Sequence, residues 1–440
     1  MTARVVFLIV LGLVVPSVRG QEKARPLVLA GAKVLDAAGE SLLEGQDILV
    51  IDGRIARIAP ARDLKPPEDA VRLDLSGLTL LPGLMDIHSH LLLHPYDEAT
   101  WDDQVLKESL ELRTVRAVTA ARATVEAGFT TLRDLGTEGA GYADVALRDA
   151  IARGMVPGPR VFASTRAIVA TSCYGPAGFD PRWDVPKGAQ EATGVDGVRR
   201  AVREQIAAGA DWVKFYADYR RRAGDPATPT FSQEELNALV AEAHSAGKPV
   251  AAHATTDEGI RRAVLAGVNS IEHGTSASDE ALALMHERGV ALCPTLAASE
   301  AMARYAGWKP GEALPQRLQE ARDMFARALR SGVTIACGSD VGVFAHGDNA
   351  REIELMVAYG MSPAEALRAA TSTAAQVLGR ENTLGRIAPG YIADLIAVRG
   401  DPLKDPTALR KPLVVLKEGQ IVLDRLGANG QAARTQQGGG

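Results

Sequence analysis

The first residues with recognisable chemistry are histidines that close short apolar runs. His88 and His90 stand two positions apart, and residues two apart on a β-strand face the same side, so both imidazoles could bind one metal ion. A lone His-x-His pair is often incidental, but His253, His273 and Asp340 close further apolar runs of the same kind. Four of the eight histidines in the chain therefore stand at predicted strand ends. This pattern predicts a metal centre.

Lys214 stands inside another apolar run, residues 212–218. An ammonium group that is buried without a partner lowers its pKa or destabilises the fold. One interpretation is an ion pair with Asp340 or another carboxylate. The other is that the neutral amine takes up carbon dioxide and becomes a carbamate, an anionic group able to bridge two cations. The sequence leaves both interpretations open.

Eight apolar runs must position these side chains. They cover residues 80–90, 130–136, 160–167, 212–218, 249–253, 270–274, 291–296 and 334–340. Segments with apolar residues at helical spacing separate them, for example 104–127, 195–208, 233–246 and 279–288. The alternation predicts an α/β fold of the (β/α)8 (TIM) barrel type, with the active site at the carboxyl ends of the strands. A doubly wound open sheet is the alternative, but no G-x-G-x-x-G turn follows the first run.

Both ends of the chain have the pattern of β-structure. Residues 28–81 contain short apolar strands, and Asp52-Gly53 between two of them is the mark of a tight hairpin. Residues 393–423 have the same character, so we expect a small β-sandwich built from both termini. The predicted boundaries are 1–20 for a signal peptide, 21–81 and 381–425 for the two parts of the sandwich, 82–380 for the barrel and 426–440 for a disordered tail.

Composition excludes several classes of protein. The 440 residues are 46% hydrophobic and 23% charged, which is too apolar for a disordered chain. With 49 Lys and Arg against 54 Asp and Glu, the net charge is −5, and we expect no nucleic-acid partner. Three scattered cysteines without a C-x-x-C pair are too few for a disulfide framework.

The N-terminal residues have a pattern that predicts where in the cell the protein is located. Arg4 precedes an apolar run over residues 5–15, and these 11 residues are fewer than the roughly 20 that a membrane-spanning helix needs. The pattern is typical of a signal peptide cleaved before Gln21, with a membrane anchor as the alternative. We expect an exported protein, periplasmic or secreted, without a stable membrane anchor.

These residues and their neighbours resemble the amidohydrolase superfamily. The resemblance covers about residues 28–425 and rests on the metal pattern and on the contexts PGLMDIH (82–88), VKFYAD (213–218), IEHG (271–274), GSD (338–340) and GYIADL (390–395). Within the superfamily, these contexts are similar to a branch that includes imidazolonepropionase-like proteins, metal-dependent Xaa-Pro and Xaa-Arg dipeptidases, and ochratoxin-hydrolysing amidases. Barrel enzymes of this superfamily often associate, so a homo-oligomer is a further expectation.

The resemblance implies a site with two Zn²⁺ or similar divalent metals. The implied ligands are His88, His90 and Asp340 for one ion, His253 and His273 for the other, and carbamylated Lys214 as a bridge together with a hydroxide. Zinc lowers the pKa of bound water and polarises a carbonyl, as hydrolysis of an amide requires. Asp340 would accept a proton during the attack and donate it to the leaving amine.

Thr256 favours hydrolysis over deamination. Deaminases of the superfamily carry a glutamate three residues after the histidine of the fifth barrel strand, and they lack a lysine on the fourth. In this chain the fifth predicted strand ends in His253, the residue three positions later is Thr256, and the fourth predicted strand carries Lys214. We expect a small-molecule amide or dipeptide substrate, cleaved by a dipeptidase or N-acyl-amino-acid amidohydrolase that includes ochratoxin-type amides in its range. The alternatives are opening of a cyclic amide, hydrolysis of a lactone or phosphotriester, and an inactive barrel that only binds.

Five further residues are predicted to contact the substrate. Tyr219, Arg220 and Arg222 follow the lysine run, and a tyrosine with an arginine can hold a carboxylate by charge-assisted hydrogen bonds. The resemblance to the dipeptidases points to the same loop, and a solvated basic loop is the alternative. Tyr174, after the third run, is predicted to line the pocket. His346 either contacts the substrate or caps the next helix.

Overall fold

The computed structural model describes residues 25–180, 182–222 and 224–427. The predicted signal peptide, residues 1–20, and residues 428–440 of the predicted tail lie outside the described residues. No helix in the described part of the chain combines the length and the apolar character that crossing a membrane requires. Export of the protein stays a prediction.

Seven short strands open the described chain. They are β1 (Leu27–Ala30), β2 (Lys33–Leu35), β3 (Leu42–Leu43), β4 (Gln46–Ile51), β5 (Arg54–Pro60), β6 (Val71–Asp74) and β7 (Leu78–Pro82). The predicted hairpin is confirmed, because β4 and β5 pair antiparallel around Asp52 and Gly53, whose φ angles are 47° and 76°. Positive φ at both central residues suits a tight hairpin turn and explains the Asp-Gly pair.

Strands and helices alternate through the middle of the described chain. The strands are β8 (Leu84–Ser89), β9 (Phe129–Asp134), β10 (Arg160–Ala163), β11 (Ile168–Ala170), β12 (Gln190–Ala192), β13 (Val213–Tyr216), β14 (Asp218–Tyr219), β15 (Thr228–Pro229), β16 (Val250–Ala254), β17 (Ser270–His273) and β18 (Ala291–Cys293). The helices are α1 (Trp101–Lys107), α2 (Leu110–Glu126), α3 (Ala143–Ala152), α4 (Gly194–Ala207), α5 (Gln233–Ser245), α6 (Asp257–Ala266), α7 (Asp279–Arg288), α8 (Leu296–Tyr305), α9 (Gln316–Ser331), α10 (Ala350–Ala358), α11 (Pro363–Ala369) and α12 (Ser372–Val377). The last strands are β19 (Leu395–Arg399), β20 (Val414–Lys417) and β21 (Gln420–Asp424), with a 3₁₀ helix at Pro406–Arg410.

Hydrogen bonds link eight segments of the middle region side by side. Parallel ladders join β8 to β9, β9 to β10, β13 to β16, β16 to β17 and β17 to β18. The carbonyl of Ala163, at the end of β10, accepts hydrogen bonds from the two residues before β13. Parallel bridges then pair Leu292 with Ile335 and Val341 with Ser89. The series therefore returns to β8 through the segment between Ile335 and Val341.

The predicted first run, residues 80–90, is divided between two sheets. β7 ends at Pro82 and β8 begins at Leu84. A Cβ atom on Gly83 would lie 2.1 Å from Thr130 Oγ1, so a side chain does not fit where the chain passes from one sheet to the other. The apolar character of both halves hid this division in the sequence.

The predicted eighth strand, residues 334–340, is not a regular strand. Within it, Ile335 makes a single bridge. Ser339 donates from its N–H and its hydroxyl to the carboxylate of Asp86 on β8, and Asp340 adopts a left-handed φ of 60°. Backbone hydrogen bonds still join the segment to β8, from the Ile87 N–H to the Cys337 carbonyl at 2.9 Å and from the Asp340 N–H to the His88 carbonyl at 2.7 Å. The turn brings Asp340 to the end of β8.

Strands from both ends of the chain form two sheets. Their orders are β5-β4-β1-β6 and β21-β20-β19-β7-β2-β3. In the second sheet, β7 pairs antiparallel with β19, and Leu80 lies opposite Ala397. One apolar cluster contains Leu29 and Val50 of the first sheet together with Leu80 and Leu416 of the second. The first and last strands therefore share a core.

Arg160, the first residue of β10, connects the middle region to the last strands. Its Nη1 lies 2.5 Å from Asp394 Oδ2 and its Nη2 lies 2.6 Å from Glu418 Oε1. Asp394 precedes β19 and is buried, while Glu418 follows β20. The backbone N–H of Glu418 also donates to Asp394 Oδ1 at 2.7 Å. This ion-pair group holds β10 against the C-terminal strands.

Candidate active site

The predicted histidines meet where three strands end, namely β8 and the adjacent pair β16 and β17. His88 lies on β8 and His90 just after it, His253 lies on β16, and His273 is the last residue of β17. The ring centroid of His88 is 5.4 Å from that of His90 and 5.0 Å from that of His273. The centroids of His273 and His253 are 4.7 Å apart. The four imidazoles therefore form one continuous row.

Asp340 lies at one end of the row. Its Oδ1 is 3.2 Å from His90 Nε2 and 3.6 Å from His88 Nε2, and its side chain is 15% exposed. The ligand atoms of these three residues lie within 4.8 Å of one another, close enough to bind one metal ion. Burial raises the pKa of the Asp340 carboxyl, but His88 and His90 outweigh burial, and the net pKa lies below its usual value. The group is therefore ionised at neutral pH.

Hydrogen bonds on the far side of the rings orient two of the imidazoles. His88 Nδ1 donates to Glu272 Oε2 at 2.8 Å, and His90 Nδ1 donates to the carbonyl of Gly136 at 2.8 Å. The Nε2 atoms of both rings then face Asp340. A partner that fixes the other ring nitrogen in this way is typical of histidines that bind metals.

Glu272 was not singled out in the sequence, although it directly precedes His273. Its Oε1 accepts hydrogen bonds from Arg133 Nη2 at 2.9 Å and from the Ser270 hydroxyl at 2.5 Å, and all three residues are buried. Glu272 therefore connects His88 to a buried ion pair. Its position directly before a strand-end histidine was the available signal in the sequence.

Burial keeps three imidazoles of the row neutral. It lowers the pKa of His88 to about 4 and that of His273 to about 3, and it holds the pKa of His253 well below its usual value. The neutral imidazole is the form that binds metal ions. His253 also stacks on Tyr216, with ring centroids 4.3 Å apart and an angle of 17° between the planes.

Lys214 lies on β13, and its side chain is only 1% exposed. Asp340 and Glu272 contact histidines and Arg133 instead, and no ion pair of Lys214 is found in the described part of the chain. The interpretation of Lys214 as one half of an ion pair is therefore not supported. Burial lowers the pKa of its ammonium group. A lowered pKa favours the neutral amine, the form that reacts with carbon dioxide.

Asp86 on β8 holds the segment that carries Asp340. Its carboxylate accepts hydrogen bonds from the N–H of Ser339 at 3.0 Å, from the Ser339 hydroxyl and from Asn349 Nδ2 at 2.8 Å. Burial raises the pKa of Asp86 to about 6. Asp86 lies two residues before His88, so a single buried carboxylate ties the two parts of the site together.

A cavity of ≈ 250 Å³ adjoins the row. The four histidines and Asp340 line it, together with Glu138, Arg317 and four tyrosines, Tyr96, Tyr174, Tyr216 and Tyr219. The remaining wall is formed mainly by α8 and by the threonines that follow the strands. The candidate ligands therefore face a cavity that is large enough for a small molecule and is lined partly by tyrosine rings.

The five predicted substrate contacts are only partly brought to this cavity. Tyr174 and Tyr219 line it, with ring centroids 5.0 Å apart. Arg220 and Arg222 are exposed at the start of the loop between the paired strands β14 and β15, which carries them towards solvent. His346 Nε2 lies 3.1 Å from the carbonyl of Leu93. None of the last three is among the described residues that line the cavity.

Two charged residues of the lining lacked a metal-ligand pattern in the sequence. Glu138 follows β9 closely, and its place after a predicted strand end was an available signal. Arg317 lies in the first turn of α9, where nothing in the sequence separates it from other exposed arginines. Its position at the cavity depends on how α9 packs against the site.

Comparison with known proteins identifies the family of this site. Residues 79–422 match the model of the Amidohydrolase family. The chain belongs to the amidohydrolase family. This amidohydrolase is 32% identical to ochratoxinase of Aspergillus niger over 89% of this chain and 87% of the relative. It is 28% identical to imidazolonepropionase of Symbiobacterium thermophilum over 90% of this chain and 93% of the relative.

A solved structure agrees with this assignment. The amidohydrolase superposes on a Xaa-Pro dipeptidase with bound methionine in the active site with a TM-score of 0.80 and 33% identity, covering 90% of this chain and 99% of the other. The predicted superfamily, the mixed α/β fold and the prediction of a hydrolytic enzyme are confirmed. The family typically holds divalent metals and acts on small molecules, and the group of His88, His90 and Asp340 is consistent with this.

Proposed function

We propose that this amidohydrolase cleaves the amide bond between an acyl group and a C-terminal amino acid, as in dipeptides and N-acyl-amino acids. The observation that carries the proposal is the row of four imidazoles with Asp340 at the wall of one cavity. The similarity to ochratoxinase and to a Xaa-Pro dipeptidase supports this substrate class. Amides of the ochratoxin type fall within it.

We infer that the eight linked segments form a (β/α)8 barrel and that the two end sheets form a small β-sandwich. The return of the hydrogen-bonded series to β8 supports the barrel. The pairing of β7 with β19 and the shared apolar cluster support the sandwich. The histidine row then lies at the barrel mouth, where active sites of this fold are found.

The side chains present fit two divalent cations, zinc or metals of similar preference. His88, His90 and Asp340 would hold one cation, and the other two histidines of the row would hold the second. A carbamate on Lys214 would be a ligand shared between them. Attack of the neutral Lys214 amine on carbon dioxide forms an N–C bond, releases one proton and converts the buried neutral amine into an anionic ligand. Divalent cations held there supply an acidified water and polarise the substrate carbonyl.

Asp340 performs the proton transfers in this proposal. Its carboxylate is ionised, and its side chain is 15% exposed at the cavity. It takes a proton from the attacking water and delivers it to the nitrogen of the scissile bond, so that the amine leaves in its neutral form. Two contacts keep the Asp340 carboxylate in place. His90 Nε2 lies 3.2 Å from Asp340 Oδ1, and the N–H of the preceding residue, Ser339, donates a hydrogen bond to Asp86.

Arg317 and Tyr219 suit the carboxylate of the leaving amino acid. Both line the cavity. Arg317 is exposed, and no ion pair of its guanidinium group is found among the described residues. A guanidinium group and a phenol can hold a carboxylate by charge-assisted hydrogen bonds. We therefore assign this role to Arg317 with Tyr219, in place of the expected Arg220 and Arg222.

Opening of a cyclic amide is the second candidate, favoured by the identity of 28% to imidazolonepropionase. The same candidate ligands would serve it. A cyclic amide opens without releasing a separate amino acid, so the comparison of free acids with C-terminal amides applies only to the linear substrates. Lactones and phosphotriesters complete the set of substrates to be compared.

The decisive experiment is a substrate screen with enzyme stripped by a chelator and reloaded with zinc, manganese or cobalt. The panel contains dipeptides and N-acyl-amino acids, each as the free acid and as the C-terminal amide, and cyclic amides, lactones and phosphotriesters. We expect metal-dependent hydrolysis of the free acids and much slower hydrolysis of the amides. Turnover that survives metal removal, or that is confined to the cyclic substrates, contradicts the proposal. Equal rates for acids and amides exclude the role of Arg317 and Tyr219.

We also propose that the protein is exported, on the basis of residues 1–20 alone. Fractionation of cells that express the full chain, followed by N-terminal sequencing, tests this. A mature protein that starts at Gln21 outside the cytoplasm is expected. Retention of the intact chain inside the cell contradicts it.

A further inference from the structure

The cavity carries a buried carboxylate that the proposed hydrolysis does not use. Glu138 follows β9, is 2% exposed and lines the cavity. Its Oε2 accepts hydrogen bonds from Trp101 Nε1 at 2.9 Å and from the Tyr174 hydroxyl at 2.5 Å. Its Oε1 is buried and has no hydrogen-bond partner among the described residues. One oxygen is thus fixed by neutral donors, while the other can accept from a ligand.

No basic side chain donates a hydrogen bond to the carboxylate of Glu138 in the described part of the chain. Its Oε1 lies 4.0 Å from His90 Nδ1, but that nitrogen donates to the carbonyl of Gly136 at 2.8 Å. Arg113 donates to the backbone carbonyl of Glu138, at 2.7 Å, and not to its carboxylate. A buried carboxylate oxygen without a hydrogen-bond donor is costly, and a cationic ligand that donates to it removes that cost.

Aromatic rings surround this carboxylate. The ring centroid of Tyr174 lies 5.0 Å from that of Trp101 and 4.8 Å from that of Tyr216. Burial is the largest cause that raises the pKa of Tyr96, Tyr174 and Tyr216, and the negative charge of Glu138 is the second largest. This is expected for a carboxylate that lies close to all three hydroxyl groups. Aromatic faces combined with a carboxylate form a binding site for an ammonium group.

We propose that Glu138 and the rings of Tyr96, Tyr174 and Tyr216 bind the protonated α-amino group of the substrate. Glu138 Oε1 is 4.0 Å from a ring nitrogen of His90, so the carboxylate lies at the reacting end of the cavity. In a dipeptide the α-amino nitrogen is two bonds from the carbonyl carbon that is attacked, whereas a side-chain ammonium lies further along the chain. The inference rests on the proposed function and narrows it to dipeptides with a free N-terminus.

The test compares three substrates that differ only at the α-position. They are a dipeptide, its N-acetyl derivative and the analogue with a hydroxyl in place of the amine. Wild-type enzyme is expected to prefer the dipeptide. Glu138→Gln keeps the size and the acceptor for Trp101 and Tyr174 but removes the charge, so we expect kcat/KM to fall about tenfold to a hundredfold on the dipeptide and less than about threefold on the hydroxy analogue.

Two further variants separate charge from structure. Glu138→Asp keeps the charge and is expected to retain the preference for the amine at reduced kcat/KM. Glu234→Gln, at an exposed glutamate in the first turn of α5, is the matched control and is expected to behave as wild type. If Glu138→Gln lowers kcat/KM equally on all three substrates, or lowers the bound metal, Glu138 is a structural residue and the proposal is overturned.

Binding measurements keep this proposal independent of catalysis. Calorimetry compares a phosphinic dipeptide analogue with the same molecule lacking its amino group, on wild type and on Glu138→Gln. We expect the amine to strengthen binding about tenfold or more in wild type and to have no such effect in the variant. Amine-dependent binding without hydrolysis of any amide would defeat the proposed function alone. Equal affinity for the two ligands in wild type would defeat this inference alone.

Discussion

Asp340, which is partly exposed at the cavity, and Lys214, which is buried, are ionisable groups in opposite environments. Asp340 has two imidazoles within 3.6 Å, which hold its pKa low and its charge in place. Lys214 has no ion pair in the described chain, and burial lowers the pKa of its ammonium group. Replacing Asp340 and replacing Lys214 are therefore expected to change activity and bound metal in different ways, and both quantities can be measured.

Asp340→Asn is expected to lower kcat by about a thousandfold or more, because the amide cannot accept a proton from the attacking water. Bound metal should fall much less, since His88 and His90 remain. Kinetics together with elemental analysis of the purified variant check both expectations. Asp323→Asn, at an exposed aspartate of α9, is the control. A variant that keeps more than a tenth of the wild-type kcat would contradict the role of Asp340.

Lys214→Met is expected to reduce bound metal from about two ions per chain to about one or fewer, and to abolish activity. The thioether replaces a buried ammonium by an apolar group, so the free energy of unfolding should not decrease in the metal-free protein. Elemental analysis and urea denaturation of the stripped enzyme measure these quantities. Lys65→Met, at an exposed lysine, serves as the control. Full metal content in Lys214→Met would exclude a bridging carbamate.

The histidine row could be predicted because strand ends and two-residue alternation act locally. The place of Glu138 after a predicted strand end was a signal, but its role could not be predicted, because its hydrogen bonds come from partners such as Trp101, which lies 37 residues away along the chain. Arg220 had the right charge for a carboxylate, but the pairing of β14 with β15 carries its loop to solvent. Whether a loop residue faces a cavity depends on contacts that one sequence does not contain.

At the scale of elements, the passage from β7 to β8 positions the first two histidines. Pro82 ends one sheet, Leu84 begins the other, and Gly83 alone separates them. The apolar pattern continues through all three residues, so the sequence predicted one run where the structure has two strands. The eighth predicted strand differs for another reason, because Ser339 bonds to the Asp86 side chain and Asp340 leaves the strand conformation with a left-handed φ, while Cys337 and Asp340 still bond to the backbone of β8.

Gly83→Ala is expected to lower the free energy of unfolding by about 1–3 kcal/mol, because its Cβ atom would lie 2.1 Å from Thr130 Oγ1. Urea denaturation measures this. Gly197→Ala is the matched control, since the nearest atom to an added Cβ on α4 is 3.9 Å away and alanine favours a helix. We expect that variant to be as stable as wild type or slightly more so. Equal effects of the two substitutions would contradict the steric explanation.

At the scale of the whole molecule, the alternation of runs predicted the α/β class, and the β-rich ends predicted strands at both termini. The register of β7 against β19 could not be predicted, because antiparallel pairing of two apolar strands over 300 residues apart depends on the folded middle region. The same holds for Arg160, whose partners Asp394 and Glu418 lie 234 and 258 residues away.

Arg160→Ala is expected to lower the free energy of unfolding by about 1–3 kcal/mol, because it leaves the buried carboxylate of Asp394 without its cation. Activity should persist, since Arg160 does not line the candidate active site. Thermal and urea denaturation check the first expectation. Arg62→Ala, which removes an exposed pair with Asp63, should have a smaller effect. Equal losses would show that the Arg160 group adds no more stability than an exposed ion pair.

The continuity of β7 with β8 has a consequence for the order of events during biosynthesis. β8, the strand that carries His88, follows β7 after a single residue. β7 can pair with its neighbour β19 only when residues 395–399 have been made. A nascent chain that stops short of β19 leaves one edge of β7 unpaired. The sheet that continues into the strand of His88 is therefore incomplete until residues 395–399 have been made, and we expect metal to be acquired after that point and not earlier.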